Sequence, residues 1–502
     1  GDGRRVRRSG AVEWEDEDVS DIENKQAEAV APEVPSHNLP PITYRDLPDA
    51  MPLRKAIGPG VIMIAVGIGS GEYIIYPFIA SQVGLVFLWA AVVGLLVQFF
   101  INLEVERYTL ATGETAITGF VRIWKPWAPL FILMTILPWA WPGWMTSAAT
   151  TLTFALGGGN VVLFSIIGLI IVGLTLTVSP VVYQTVEKIE FFKVGAVIVF
   201  CVIAIAFVIG WQPWADIPGA TVEGFGRLPE GVPAAVLLTA LAYAGGGGTL
   251  NMTMSNWIRD KGWGMGSHIP KVVSPVTGEE EAAAPIGYAF PTNEGNMRRW
   301  RDWWKVANIE QFISFFFIGL LSIVVFSLLA YAVLPVGEVG GEGDLAFIQL
   351  EGEILSETVG SWFGVSFWLI GTVALFFANF VIIDMVGRIT ADILKVTYLR
   401  DSAFWSESKL YFTIVWIEVA FGTIILLSGI DQPLVLLVIS AVLNAIVMLI
   451  YSAMLIKLNR GSLPDAIKMR GIRLFALGFA VLLFGGAVAF TLFDQARVLL
   501  GG

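Results

Sequence analysis

Two glycine-rich runs carry the residues able to do chemistry. The first is Gly67-Ile68-Gly69-Ser70-Gly71-Glu72, followed by Tyr73; the second is Gly245-Gly246-Gly247-Gly248, followed by Thr249 and Asn251. Both lie inside apolar stretches long enough to cross a bilayer. Glycine weakens a helix and lets its backbone open, and open backbone at membrane depth is tolerated only where it lines a cavity or is buried in protein. An ionisable group at that depth is costly and by default marks a function, which singles out Glu72. A carboxylate, backbone carbonyls and small hydroxyls form an oxygen shell of the kind hard cations take. The same glycine-stripped helix ends also present free N–H groups, which favour an anion. A third reading has Glu72 only capping the positive end of a half-helix. The candidate substrate-binding set is Gly69, Ser70, Gly71, Glu72 and Tyr73 with Gly245, Gly246, Gly247, Gly248, Thr249 and Asn251. Glu72 is the candidate metal ligand.

A second intramembrane acid, Asp384, stands near Asn379 and Thr390. These three are the candidates for a coupling ion, sodium or a proton. Pairing of Asp384 with Arg388, one helical turn on, is the alternative. Soft or imidazole ligands are absent from both runs. Cys201 is alone in another apolar stretch, so no disulfide framework exists, and His37 and His268 fall in polar segments. No nucleophile–base pair or phosphate loop is present, so neither an enzyme nor a cofactor is expected.

The elements that hold these residues follow from composition. Of 502 residues, 56% are hydrophobic and 15% charged, and the mean hydropathy is +0.72; a polytopic membrane protein is expected. Apolar stretches of about 20 residues, the bilayer-spanning length, occur near 57–80, 84–103, 128–150, 161–180, 190–210, 233–257, 308–334, 363–386, 410–429, 433–456 and 472–493. With the N-terminus in the cytoplasm, all but Arg227 and Arg497 of the 31 Lys and Arg residues fall on inside segments, as the positive-inside rule requires. This count places Lys188 and Lys193 in a cytoplasmic connection. The C-terminus is then extracellular or periplasmic, and a bacterial inner membrane is the expected location.

The two glycine runs fall in the first and sixth of eleven spans. A five-plus-five repeat would place them so, and because five is odd the second half is inverted, an arrangement that carries a midplane site. The expected division is a disordered cytoplasmic tail over 1–50, a first repeat over 51–210, an extracellular connection over 211–232, and a second repeat over 233–456. The last contains a cytoplasmic loop over 259–307 and an acidic extracellular loop over 335–362. Residues 457–502 hold the eleventh span and the C-terminus. The basic-aromatic run Arg298 to Lys305 is expected to lie on an anionic lipid surface, and nucleic-acid binding is not expected. Tryptophans of the third span, Trp139, Trp141 and Trp144, are expected at interfaces or in packing.

Gly58-Pro59-Gly60 with Gly69-Ser70-Gly71-Glu72, then Gly84-Leu85 and Leu88-Trp89, resembles the opening of the Nramp metal-ion transporters. Arg107-Tyr108-Thr109-Leu110-Ala111-Thr112-Gly113-Glu114 and Val186-Glu187-Lys188-Ile189-Glu190 are similar to two further stretches of that family. The resemblance implies an all-α, leucine-transporter-like 5+5 inverted repeat plus an eleventh helix, with discontinuous helices 1 and 6, and transport by alternating access. It also marks departures. Gly69 and Glu72 stand where transition-metal carriers of the family place aspartate and asparagine; Gly248 and Leu250 stand where they place methionine and histidine. Without a sulfur ligand, magnesium or manganese is expected in preference to iron or zinc. A cation-coupled carrier of bicarbonate or an amino acid, and a non-transporting sensor or scaffold, remain open.

Overall fold

The computed structural model describes residues 31–273, 286–338 and 345–499, and is helical there apart from one short strand pair. Among the described residues, ten helices are long and apolar enough to cross a membrane. We number the membrane helices α1 (Pro59–Phe87), α2 (Trp89–Thr112), α3 (Trp127–Leu156), α4 (Val161–Val178), α5 (Val182–Phe207), α6a (Ala234–Tyr243), α6b (Thr249–Lys261), α7 (Glu294–Val333), α8 (Ser361–Thr397), α9 (Glu407–Leu427), α10 (Pro433–Gly461) and α11 (Ile472–Leu499). The two short helices α6a and α6b together form the sixth crossing, which completes the eleven spans.

Local chemistry sets several helix ends. Asn160, Asn293 and Ser406 accept the backbone N–H three residues on, at 2.9, 2.9 and 3.1 Å, and so cap α4, α7 and α9. Gly113 takes a left-handed conformation after α2, with φ 71°, which glycine does without steric cost.

The layering follows from which faces are apolar throughout. Every residue from Gly58 to Ser81 is buried, so α1 is the innermost helix, packed against α5, α6a, α7 and α8. By contrast α4, α5 and α11 expose Leu163, Ile171, Phe192, Val199, Phe475 and Leu482, an apolar belt suited to lipid contact.

The two glycine runs behave differently. At the sixth crossing the helix is broken outright: Gly245, Gly246, Gly247 and Gly248 have φ of 88°, 112°, 70° and 61°, a left-handed run that L side chains resist. In α1 the chain stays wound, but residues Ile68–Ile75 form a π-helix. The interruption of α1 is thus a widened turn rather than extended chain. π segments of this kind recur at functional sites.

Several sequence expectations shift. Residues expected in a disordered tail are packed from Ala31 onward: Leu47 is fully buried and Thr43–Tyr44 pair in parallel with Tyr288–Ala289. Residues 1–30 lie outside the described part. The run Arg298 to Lys305 belongs to α7, where Trp303 is buried and donates from Nε1 to the Pro48 carbonyl at 2.9 Å. Helix α5 starts at Val182, so Lys188 and Lys193 are helical rather than in a connection. The connections expected over 211–232 and 335–362 contain helices Trp211–Gly224 and Ala346–Thr358.

Candidate functional site

The two interrupted helices meet at Glu72. A Cβ built on Gly67 would lie 2.8 Å from a Glu72 carboxylate oxygen and 2.8 Å from Gly245 Cα. A Cβ on Gly71 would collide with the Tyr243 carbonyl. Glycine at 67 and 71 therefore brings the π turn of α1 against the break between α6a and α6b, with the carboxylate lodged in the crossing.

Glu72 is fully buried; no hydrogen bond of good geometry reaches its oxygens, and its polar surroundings are its own backbone N–H, that of Gly245 and the Lys193 ammonium. The hydroxyls of Ser70, Tyr76 and Thr249 are likewise buried without a partner. Buried polar groups are nearly always paired, so unpaired groups on both crossing elements single them out, although buried groups elsewhere, such as the Glu106 carboxylate, are also without a partner. Tyr76, one turn after Glu72, is not among the sequence candidates, though its i,i+4 spacing from Glu72 is a signal for it.

Other predicted residues are engaged elsewhere. Tyr73 donates its hydroxyl to the Phe367 carbonyl of α8 at 3.1 Å. Gly69 faces α8: a Cβ there would sit 2.7 Å from Ala378 Cβ. Asn251 donates to Asn102 Oδ1 at 2.7 Å and accepts from the Tyr451 hydroxyl at 2.7 Å. Gly246, Gly247 and Gly248 shape the break; a side chain would meet Leu250, the Ala242 carbonyl and Asn444 respectively. The carbonyl end of α6a is held by Gln98, whose Nε2 donates to Ala244 at 2.6 Å and Ala242 at 3.2 Å.

Asp384 is not beside Glu72's crossing but in an ion-pair cluster. Arg388 Nε donates to it at 2.8 Å and the Tyr411 hydroxyl at 2.7 Å, while Arg388 also pairs with Asp260. Asn379 Nδ2 and Thr390 Oγ1 on the same helix are buried without a partner. Trp139 and Trp144 are fully buried and stack at 5.2 Å beside Tyr243, a packed cluster behind the break. Among the described residues no group of three or more His, Cys, Asp and Glu could hold a metal.

Sequence reasoning missed Lys193 and Glu190. Both are fully buried on α5, and Lys193 Nζ lies 2.7 Å from the Glu190 carboxylate. Their i,i+3 spacing is visible in the chain, but the count of basic residues by side places Lys193 in a cytoplasmic connection.

No protein-family model matches the chain, and no curated protein matches it. Solved structures do. The chain is similar to a single-residue mutant of the Eremococcus coleocola manganese transporter at 12% identity, covering 92% of this chain and 91% of that one, with a TM-score of 0.63. It is similar to the same transporter in complex with an aromatic bis-isothiourea substituted compound at 13% identity, covering 90% and 97%, with a TM-score of 0.58. At such identities the likeness speaks to architecture alone, and that architecture is the leucine-transporter fold in its Nramp-like form, in a multi-pass membrane protein.

Proposed function

We propose that this chain is a secondary transporter that moves a hard divalent cation, magnesium or manganese, by alternating access between the two halves of the fold. It would be a divergent Nramp-like carrier of a bacterial inner membrane, N-terminus inside and C-terminus outside, doing no covalent chemistry. The observation that carries the reading is the Glu72 carboxylate, buried at the crossing of α1 and the sixth-helix break with no side-chain hydrogen-bond donor on either oxygen. An uncompensated ion in such a place costs several kcal/mol, and a bound cation would remove that cost. Lys193 faces Glu72 but is shared with Glu190, which lies 2.7 Å from its ammonium, so the two acids have one cation between them. Glu72 and the hydroxyls of Ser70, Tyr76 and Thr249 are all oxygen donors, which favours magnesium or manganese over softer metals.

The test is uptake of manganese and magnesium into proteoliposomes by the wild type and Glu72→Gln, a near-isosteric change that removes the charge. At least a tenfold loss of uptake, about 1.4 kcal/mol or more of lost cation binding, is expected. Uptake unchanged in the variant rejects the reading.

One observation favours a second reading. Helix α6b begins without a side-chain cap at Gly248, and its first N–H groups adjoin the orphaned Thr249 hydroxyl, a setting suited to a small anion such as bicarbonate or to the carboxylate of an amino acid. In that case labelled bicarbonate or amino acid enters the liposomes under a cation gradient and Gly247→Leu abolishes it.

A further inference from the structure

A basic cleft far from the Glu72 crossing is built on one face of α7. It has a volume of about 350 Å³ and is lined by Trp300, Arg301, Trp304, Lys305, Asn308 and Ile309. These positions form two adjacent rows at i,i+4 spacing on one side of the helix, Trp300-Trp304-Asn308 and Arg301-Lys305-Ile309. The next members of the rows are Phe312 and Ile313, which are 52% and 42% exposed. Each row thus passes from rings and cations to bare hydrocarbon. Helix α7 has 40 residues, a rod of about 60 Å, roughly twice the thickness of a bilayer's hydrocarbon core. Part of it must stand outside that core, and the change along the two rows marks the boundary.

Cations are in excess at that level. Arg301 and Lys305 are exposed, and among the described residues neither forms an ion pair and no acid lines the cleft. Arg473 of α11 borders it, with its guanidinium 4.6 Å from the centre of the Trp304 ring and a hydrogen bond donated to Asn308 Oδ1. Arg107 of α2 lies 4.2 Å from the same ring. The acids facing these two arginines are Glu104 and Glu106 of α2. Glu104 is 2.7 Å from Arg107 and 3.7 Å from Arg473, which leaves Arg301 and Lys305 as the free charges. Trp300 and Trp304 stack with centroids 5.8 Å apart, a flat indole wall of the kind that sits at headgroup level.

We propose that this face of α7 binds an anionic phospholipid, with the phosphodiester between Arg301 and Lys305, the glycerol against the two indoles, and the acyl chains along Ile309, Phe312 and Ile313. The inference rests on the membrane-spanning fold and not on the cargo. Guanidinium and ammonium groups both donate strongly to phosphate oxygens, and basic pockets beside membrane helices hold anionic headgroups. A free phosphate shares that chemistry but leaves the apolar ends of both rows bare, whereas a lipid covers the rows along their whole length. The basic-aromatic run therefore does not lie flat on a lipid surface; it stands across the boundary and offers a single cleft.

The full-length protein, stripped of lipid in detergent, is titrated with phosphatidylglycerol, with phosphatidylcholine of the same acyl chains and with glycerol phosphate while the melting temperature is followed. A ligand that binds only the folded state raises that temperature. The wild type is expected to show a saturable rise with phosphatidylglycerol and little with the other two. Arg301→Gln combined with Lys305→Gln is expected to need at least about tenfold more phosphatidylglycerol for the same rise. Lys188→Gln combined with Lys457→Gln removes the same charge from two exposed positions outside the cleft and is expected to keep the wild-type response. Equal rises with the two lipids overturn the proposal, as does an unchanged response on loss of Arg301 and Lys305, or an equal loss in the charge-matched control. A rise with glycerol phosphate equal to that with the lipid points to a free-phosphate site and also overturns it. If the Arg301 and Lys305 double variant does not fold, Lys305→Gln alone is compared with Lys188→Gln. Cargo uptake does not enter any of these measurements, so failure of the transport reading is a separate result.

Discussion

The Glu310 carboxylate on α7 accepts the backbone N–H of Gly60 at 2.9 Å and of Gly58 at 3.2 Å, closing the start of α1 from another helix. A helix start leaves its first N–H groups without partners, and here a buried acid 250 residues away supplies the acceptor. Lys261 adds a second tie, donating to the Ile57 carbonyl at 2.8 Å while pairing with Glu187 of α5. Glu310→Ala should therefore lower stability by about 1–3 kcal/mol, the usual cost of leaving buried donors unmade. Glu310→Gln, which keeps an acceptor oxygen, should lose less; thermal unfolding in detergent compares them.

Glycines of positive φ inside and outside the sixth-helix break are separable by what a side chain would meet. Gly226 and Gly247 have nearly the same φ, 71° and 70°, yet a Cβ on Gly226 meets nothing within 4 Å while one on Gly247 collides with the Ala242 carbonyl. Gly226→Ala should cost about 1 kcal/mol of backbone strain. Gly247→Ala should cost clearly more, and a melting experiment on both shows the difference. Equal losses would mean that the break gives way easily.

Arg388 holds Asp384 and Asp260 together with all three side chains fully buried. Removing the cation with Arg388→Leu leaves Asp384 uncompensated and Asp260 with only Arg259, 3.5 Å away, and a loss of about 3–5 kcal/mol is expected. Asp384→Asn keeps hydrogen bonds to Arg388 and Tyr411 and should be milder. If Asp384 instead served a coupling ion directly, Asp384→Asn would change the ion dependence of uptake while leaving the melting temperature near the wild type.

Glu351, on the connecting helix Ala346–Thr358, is buried, and burial pushes its carboxyl well above the usual carboxylate range. The folded protein thus holds a proton there that the unfolded chain has already released. That contribution to stability is fully present below the unfolded-state pKa and fades as pH rises through the higher folded value. Melting temperature should accordingly fall with rising pH across the range above about 4.3, the ordinary glutamate value. Glu351→Gln should flatten the profile and raise stability at neutral pH.

Much of the architecture is legible in the chain. Apolar lengths and the lysine and arginine distribution mark the spans, and the glycine runs mark the two interrupted helices, because hydrophobic thickness and backbone sterics act locally. The form of each interruption is not legible: four consecutive glycines open a helix completely, whereas glycines alternating with Ile68, Ser70 and Glu72 only widen it. At the site, the crossing at Glu72 is readable because an acid in an apolar run has few innocent explanations. The ties of Tyr73, Asn251 and Asp384 are hidden, since each depends on partners in other helices. Lys193 is hidden for a different reason. A basic residue near the end of an apolar stretch looks the same whether it faces the cytoplasm or turns inward, and only the start of α5 at Val182 distinguishes them.

The π turn over Ile68–Ile75 has a mechanical meaning. One residue of α-helix corresponds to about 100° of rotation, so tightening that turn to α winding would swivel Tyr76–Val83 by about that angle relative to Pro59–Gly67, without severing the rod. The molecule thus pairs a hinge with a swivel: the glycine break of the sixth crossing lets two rods bend apart, and α1 carries its freedom as torsion about a single continuous axle.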